Sequence, residues 1–295
     1  MSTSTKRTST TTRTRAGDVI TVLVIFYLVS VIAACLFLAG RELYQYEKAR
    51  REYDTLDKEL ITPIPADGSQ EGISEETPEE EIWWPQLEID FDTYREINED
   101  FVGILYFPLF DMRYPVVISQ DNRDYLTRTF EGEENASGCI FMDYQNQRNF
   151  RDRNTYIYGH NMRDGSMFGS LKRLVREPAL CEGDPKIYIY TPDYILEYQL
   201  HVVELAPAEE YLSGIYTDRQ YDEYMDRIIG RAQFVDTDLD YSERPRVLSL
   251  YTCWGTDYQY KLLVHGLQTR IKELHPIKLY RNSFRRYLTH RYSEH

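Results

Sequence analysis

Val247-Leu248-Ser249-Leu250-Tyr251-Thr252-Cys253 is the stretch from which the fold is read. It has the composition of a β-strand and ends in a cysteine, just before a turn that holds Gly255 and Asp257. A strand end places side chains at the rim of a sheet, where a substrate reaches them. Outward from this run, Tyr260 to Leu267 reads as the following strand. Thr155 to Tyr158 reads as an earlier one, ending just before Gly159-His160-Asn161. Gly103 to Phe107, Tyr114 to Ile118, Gly138 to Met142, Lys186 to Thr191 and Ile195 to Leu205 are further short β-like runs separated by turn residues. Phe91, Tyr94 and Ile97 recur at helical spacing with Asp90 and Asp92 available as a cap, and helical pieces are expected around Ser166 to Val175 and Gln220 to Gly230. The expectation is a mainly β fold, a mixed β-barrel with a few peripheral helices.

Ahead of these runs, Val19 to Ala39 is uninterrupted and apolar, bracketed by Asp18 and Arg41. It has the roughly 20 residues that a helix needs to cross a bilayer, so residues 18–40 are expected to be a transmembrane helix. Lys6, Arg7, Arg13 and Arg15 precede it, and Arg41, Lys48, Arg50 and Arg51 follow, so charge counting comes close to a tie. The short Thr-rich leader, 1–17, has nothing to fold. The expectation is therefore a cytoplasmic leader, a single pass through the cell membrane and an extracellular folded part. Ile32-Ala33-Ala34-Cys35 resembles a bacterial lipoprotein cleavage box, but the apolar run continues through Ala39, which favours an uncleaved anchor. Residues 41–85 read as a charged helical stalk followed by an acidic spacer with Pro63, Pro65, Pro78 and Pro85. The folded domain is expected at 86–275. A basic tail follows at 276–295, with Lys278, Arg281, Arg285, Arg286 and Arg291.

A net charge of −14 over 295 residues disfavours a nucleic-acid binder, because phosphate contacts need basic surface. Cys35 lies in the apolar span, leaving Cys139, Cys181 and Cys253, an odd number in an extracellular domain, so at least one is a free thiol. No cysteine pair has metal-ligand spacing, nor do His201, His265 and His275, and neither metal nor cofactor is expected. Cys139 reads as core packing. Cys253 alone reads as a small buried hydrophobe and His160 alone as a satisfied polar residue. Together at strand ends they read differently, since a thiol nucleophile needs a neighbouring base or cation to form thiolate.

The stretch from Asn154 through Tyr158-Gly159-His160-Asn161-Met162-Arg163-Asp164-Gly165-Ser166-Met167-Phe168-Gly169-Ser170-Leu171 resembles the histidine-bearing segment of class B sortases. Further similar segments lie in order on either side: Phe101-Val102-Gly103-Ile104, Tyr114-Pro115-Val116-Val117, Gly138-Cys139-Ile140-Phe141-Met142-Asp143 and Leu248 to Cys253. The resemblance covers about residues 87 to 273. It implies a sortase-type closed β-barrel, with Cys253 as nucleophile, His160 as its partner, and Thr252, Asn161 and Tyr251 beside the substrate. The family's arginine, five residues before the small residue of the closing strand, falls here on Lys261, counted back from Gly266. Lys brings a point charge where Arg brings a planar fork. Tyr251 also departs from the pattern, standing where a small hydroxyl residue is usual.

The activity implied is that of a membrane-anchored cysteine transpeptidase. Its substrates would be secreted proteins ending in a Leu-Pro-x-Thr-Gly-like or Asn-Pro-x-Thr-like sorting signal. The acyl group would pass through a thioester to an amine of cell-wall peptide or pilin. A hydrolase that uses water and a catalytically impaired sortase-like binding protein are the alternatives.

Overall fold

Helix α1, Thr14–Leu60, carries the apolar run. The computed structural model describes residues 14–64, 82–209, 214–255 and 259–274. Most of the leader, most of the acidic spacer with Pro65 and Pro78, Asp257, His275 and the basic tail lie outside the described residues. Two compact units are present, Met1–Lys48 and Ala49–His295. In the first, Leu23, Phe26, Tyr27, Leu36 and Phe37 are exposed around the helix, which is long and apolar enough to cross a membrane. An apolar surface on every side of a helix suits lipid rather than water.

The last turns of α1 belong to the second unit. Ala49, Tyr53 and Leu56, spaced i, i+4, i+7, are buried there. The Tyr53 ring meets Tyr114 edge-on at 5.5 Å, its hydroxyl donates to the Gly138 carbonyl at 2.7 Å, and Arg113 holds Asp57 through two bonds of 2.6 and 2.9 Å. The later residues of the charged helical stalk thus pack as part of the folded unit, because one apolar stripe runs through their charges.

Strand β1 (Ile61–Pro63) pairs antiparallel with β2 (Leu87–Ile89), and α2 (Phe91–Ile97) follows, capped by Asp90, whose carboxylate accepts from the Thr93 amide. The barrel strands are β3 (Phe101–Phe107), β4 (Met112–Val117), β5 (Ile140–Met142) and β6 (Asn154–Tyr158). A 3-10 turn and the short α3 (Arg173–Arg176) then lead into β7 (Lys186–Tyr190) and β8 (Tyr194–Pro207). Helix α4 (Asp218–Ile229), β9 (Ala232–Val235), β10 (Val247–Trp254) and β11 (Tyr260–Glu273) complete the described chain. The strand order is β11-β10-β6-β5-β4-β3-β7-β8-β9, and a further pairing of β11 with β8 closes eight strands into a barrel. Closure removes free sheet edges. The mainly β fold with peripheral helices is therefore as expected. The four-residue β9, which the local pattern does not mark, extends beside β8.

Alternation along β10 divides the packing. Leu248, Leu250 and Thr252 share one buried face. Val247, Ser249 and Tyr251 share the other, where Tyr221, Tyr224, Met225 and Ile228 of α4 pack against Val247, Leu263 and Leu267. Helix α4 is started by a capping box between Thr217 and Gln220.

Candidate active site

Strands β6 and β10 lie side by side and parallel, with Ile157 opposite Leu250 and Tyr158 opposite Tyr251. The pairing continues past the strand end: the Gly159 amide donates to the Tyr251 carbonyl at 3.1 Å, and Asn161 Nδ2 donates to the Cys253 carbonyl at 2.8 Å. His160 and Cys253, each two residues beyond the Tyr158–Tyr251 pair, therefore emerge at the same rim of the barrel. Gly159 permits this, since a Cβ there would lie 2.5 Å from Ile140 Cδ1 and 2.7 Å from Phe168 Cδ2.

The His160 ring is oriented from behind. Its Nε2–H donates to the Leu126 carbonyl at 2.8 Å, and its own carbonyl accepts from the Phe168 amide at 3.0 Å. A carbonyl accepts only, so Nε2 carries the proton and Nδ1 is the nitrogen left for acid–base chemistry.

Cys253 is partly buried, and burial pushes its thiol up, while the positive charge of Lys261 pulls it back. Lys261 is the residue directly across from Cys253 in the antiparallel β10–β11 pair. Its Nζ lies 5.2 Å over the Tyr251 ring, and Tyr251 meets Tyr158 edge-on at 4.8 Å. Burial pushes the other two thiols of the second unit up as well, Cys139 to about 12 and Cys181 to about 11.

The structure thus brings Cys253, His160, Lys261, Tyr251 and Asn161 to one rim. It does not bring the Thr252 side chain with them. Thr252 is 1% exposed on the opposite face of β10, and its hydroxyl has no hydrogen-bond partner among the described residues. Asn161 holds the backbone of Cys253, a contact the sequence does not disclose. Two contacts were also missed: the Leu126 carbonyl on His160, and the Tyr158 hydroxyl that donates to Asp143 at 2.7 Å. Neither has a local pattern that marks it, because each acts across the fold.

A second constellation is sealed. Ser249 Oγ lies 2.8 Å from His265 Nδ1, and His265 Nε2 lies 3.2 Å from Glu204. Ser249 and His265 are fully buried, with Tyr224 of α4 bonded to both, so no substrate reaches that serine. Among the described residues no group of His, Cys, Asp and Glu is placed to hold a metal.

The family model described as Sortase domain matches residues 105–269, more than half of the chain. The chain belongs to the sortase family. Its relatives place this sortase in class B. It is 29% identical over 168 residues to sortase B of Listeria monocytogenes, covering 54% of this chain and 65% of that protein. It is 29% identical over 167 residues to sortase B of Staphylococcus aureus, covering 55% and 67%. The crystal structure of Bacillus anthracis sortase B in complex with AAEK1 superposes with a TM-score of 0.62 at 26% identity, over 77% of this chain and 99% of that one. The matched part of this sortase thus spans about two thirds of its curated relatives.

Proposed function

We propose that this sortase is a cysteine transpeptidase anchored by α1, with its catalytic unit outside the cell. The observation that carries the reading is the continued β6–β10 pairing, which sets an imidazole and a thiol at one rim with Lys261 across from the thiol. In the reaction, the Cys253 thiolate attacks the carbonyl after the Thr of a sorting signal and forms a tetrahedral oxyanion. Lys261 stabilises that charge, and His160, through Nδ1, protonates the leaving amine. An incoming amine then gives its proton to His160 as it resolves the thioester. The substrate is a secreted protein with a Leu-Pro-x-Thr-Gly-like or Asn-Pro-x-Thr-like signal, and the acceptor is an amine of cell-wall peptide or pilin. Anchoring keeps enzyme and membrane-bound substrate in one thin layer, which raises their effective concentration.

The test is intact-mass spectrometry of the full chain in detergent, incubated with a library of sorting-signal peptides. A peptide adduct on the wild type and none on Cys253→Ala, released faster by added amine than by water, is the expected result. Release by water alone makes the protein a hydrolase. No adduct with any peptide overturns the catalytic reading and leaves a sortase-like binding protein.

A further inference from the structure

A lysine side chain is a flexible four-carbon stem ending in a strongly hydrated charge. Here a fixed surface lies beneath it. Tyr251 is opposite Leu263, so Lys261, two residues before Leu263, is the diagonal neighbour of Tyr251 on the same face of the sheet. The ammonium lies 5.2 Å from the ring centroid, within the range of a cation–π contact. The ring is itself held in place. It meets Tyr158 edge-on at 4.8 Å, Tyr158 stacks on Phe141 at 5.1 Å, and the Tyr158 hydroxyl donates to Asp143. Asp143 is anchored in turn, accepting from Asn122 Nδ2 at 2.9 Å and from the Gln145 amide at 2.9 Å. An aromatic column therefore runs from Asp143 to the rim and presents a π face to the charge across from Cys253.

We propose that Tyr251 is a positioning residue that acts through Lys261, its ring holding the ammonium beside Cys253 so that the two side chains work as one unit. This rests on the reading of Cys253 as the nucleophile. A side chain that merely packs costs the same whichever residue stands at 261. One that acts through Lys261 loses its effect when the ammonium is gone.

The experiment uses the full chain in detergent and follows iodoacetamide alkylation of Cys253 against pH, read on the Cys253 peptide by mass spectrometry. Tyr251, Tyr251→Phe and Tyr251→Leu are each combined with Lys261 and with Lys261→Met. With Lys261 present, Tyr251→Leu raises the alkylation midpoint by about half a pH unit, whereas Tyr251→Phe, which keeps a π face, holds the wild-type midpoint. In the Lys261→Met background the three midpoints coincide. Acyl-enzyme formation follows the same pattern, with kcat about threefold to tenfold lower for Tyr251→Leu and KM within about twofold, only when Lys261 is present. Equal effects of Tyr251→Leu in both backgrounds, or loss in Tyr251→Phe equal to that in Tyr251→Leu, overturn the proposal. Should Tyr251→Leu not fold, Tyr251→Met takes its place as the variant without a π face. If the wild type acylates with no peptide, the transpeptidase reading fails on its own, and the alkylation midpoints still decide whether Tyr251 acts through Lys261.

Discussion

The Asn161 carboxamide does for the His160 loop what a ladder bond does for two strands, reaching 2.8 Å to the carbonyl of Cys253. Removing it frees the spacing between imidazole and thiol while leaving both groups in place. Asn161→Ala is therefore expected to lower kcat for acylation about tenfold, with KM within about twofold, in steady-state kinetics on a sorting-signal peptide. Thr252 is the contrasting case. A buried hydroxyl without a partner is a cost that an isosteric methyl removes, so Thr252→Val is expected to leave stability unchanged or raise it by up to about 1 kcal/mol, read from the urea midpoint. The sequence identifies Thr252 only as the neighbour of a cysteine. Strand alternation then turns its side chain to the opposite face from Cys253.

At the scale of elements, the end of α1 is the segment whose role changes most between sequence and fold. Its charged residues outnumber the apolar ones, so composition reads as a stalk, and the Ala49–Tyr53–Leu56 stripe gains meaning only once it packs. Leu56 is 3% exposed, and Leu56→Ala is expected to cost about 2–4 kcal/mol in chemical unfolding. For the same reason a fragment that starts at residue 86 is expected to melt lower than one that starts at residue 49, by differential scanning calorimetry. Such a fragment also leaves the Tyr94 hydroxyl without the Leu56 carbonyl that accepts from it at 3.2 Å. Part of the role of the chain's 26 tyrosines is seen here. Tyr53 reaches Gly138, Tyr190 reaches Pro85 and Tyr221 reaches Pro245, each burying a ring while its hydroxyl ties down a distant backbone carbonyl.

For the whole molecule, acid is the expected weakness. His201 on β8 is 1% exposed, and burial holds its pKa below the usual 6.5 against the opposing pull of Asp236. The unfolded chain then binds the proton more readily than the folded one. The stability linked to His201 is complete above about pH 6.5 and is lost as pH falls through the lower, folded value. Urea unfolding between pH 7 and pH 5 checks this, and His201→Phe is expected to flatten that part of the profile. The strand-rich fold, the long apolar helix and the position of Cys253 and His160 at strand ends are legible in the chain alone, because β runs, turn residues and an unbroken apolar stretch are written in neighbouring residues. It takes the folded barrel to bring these two residues to one rim, to bond Asn161 to the Cys253 carbonyl, to lay Lys261 over Tyr251 and to pack the end of α1 against the fold. Asn161 and Cys253 are 92 residues apart. Their meeting depends on the parallel pairing of β6 with β10, and strand partnership is set by how the whole barrel closes rather than by either strand's own sequence.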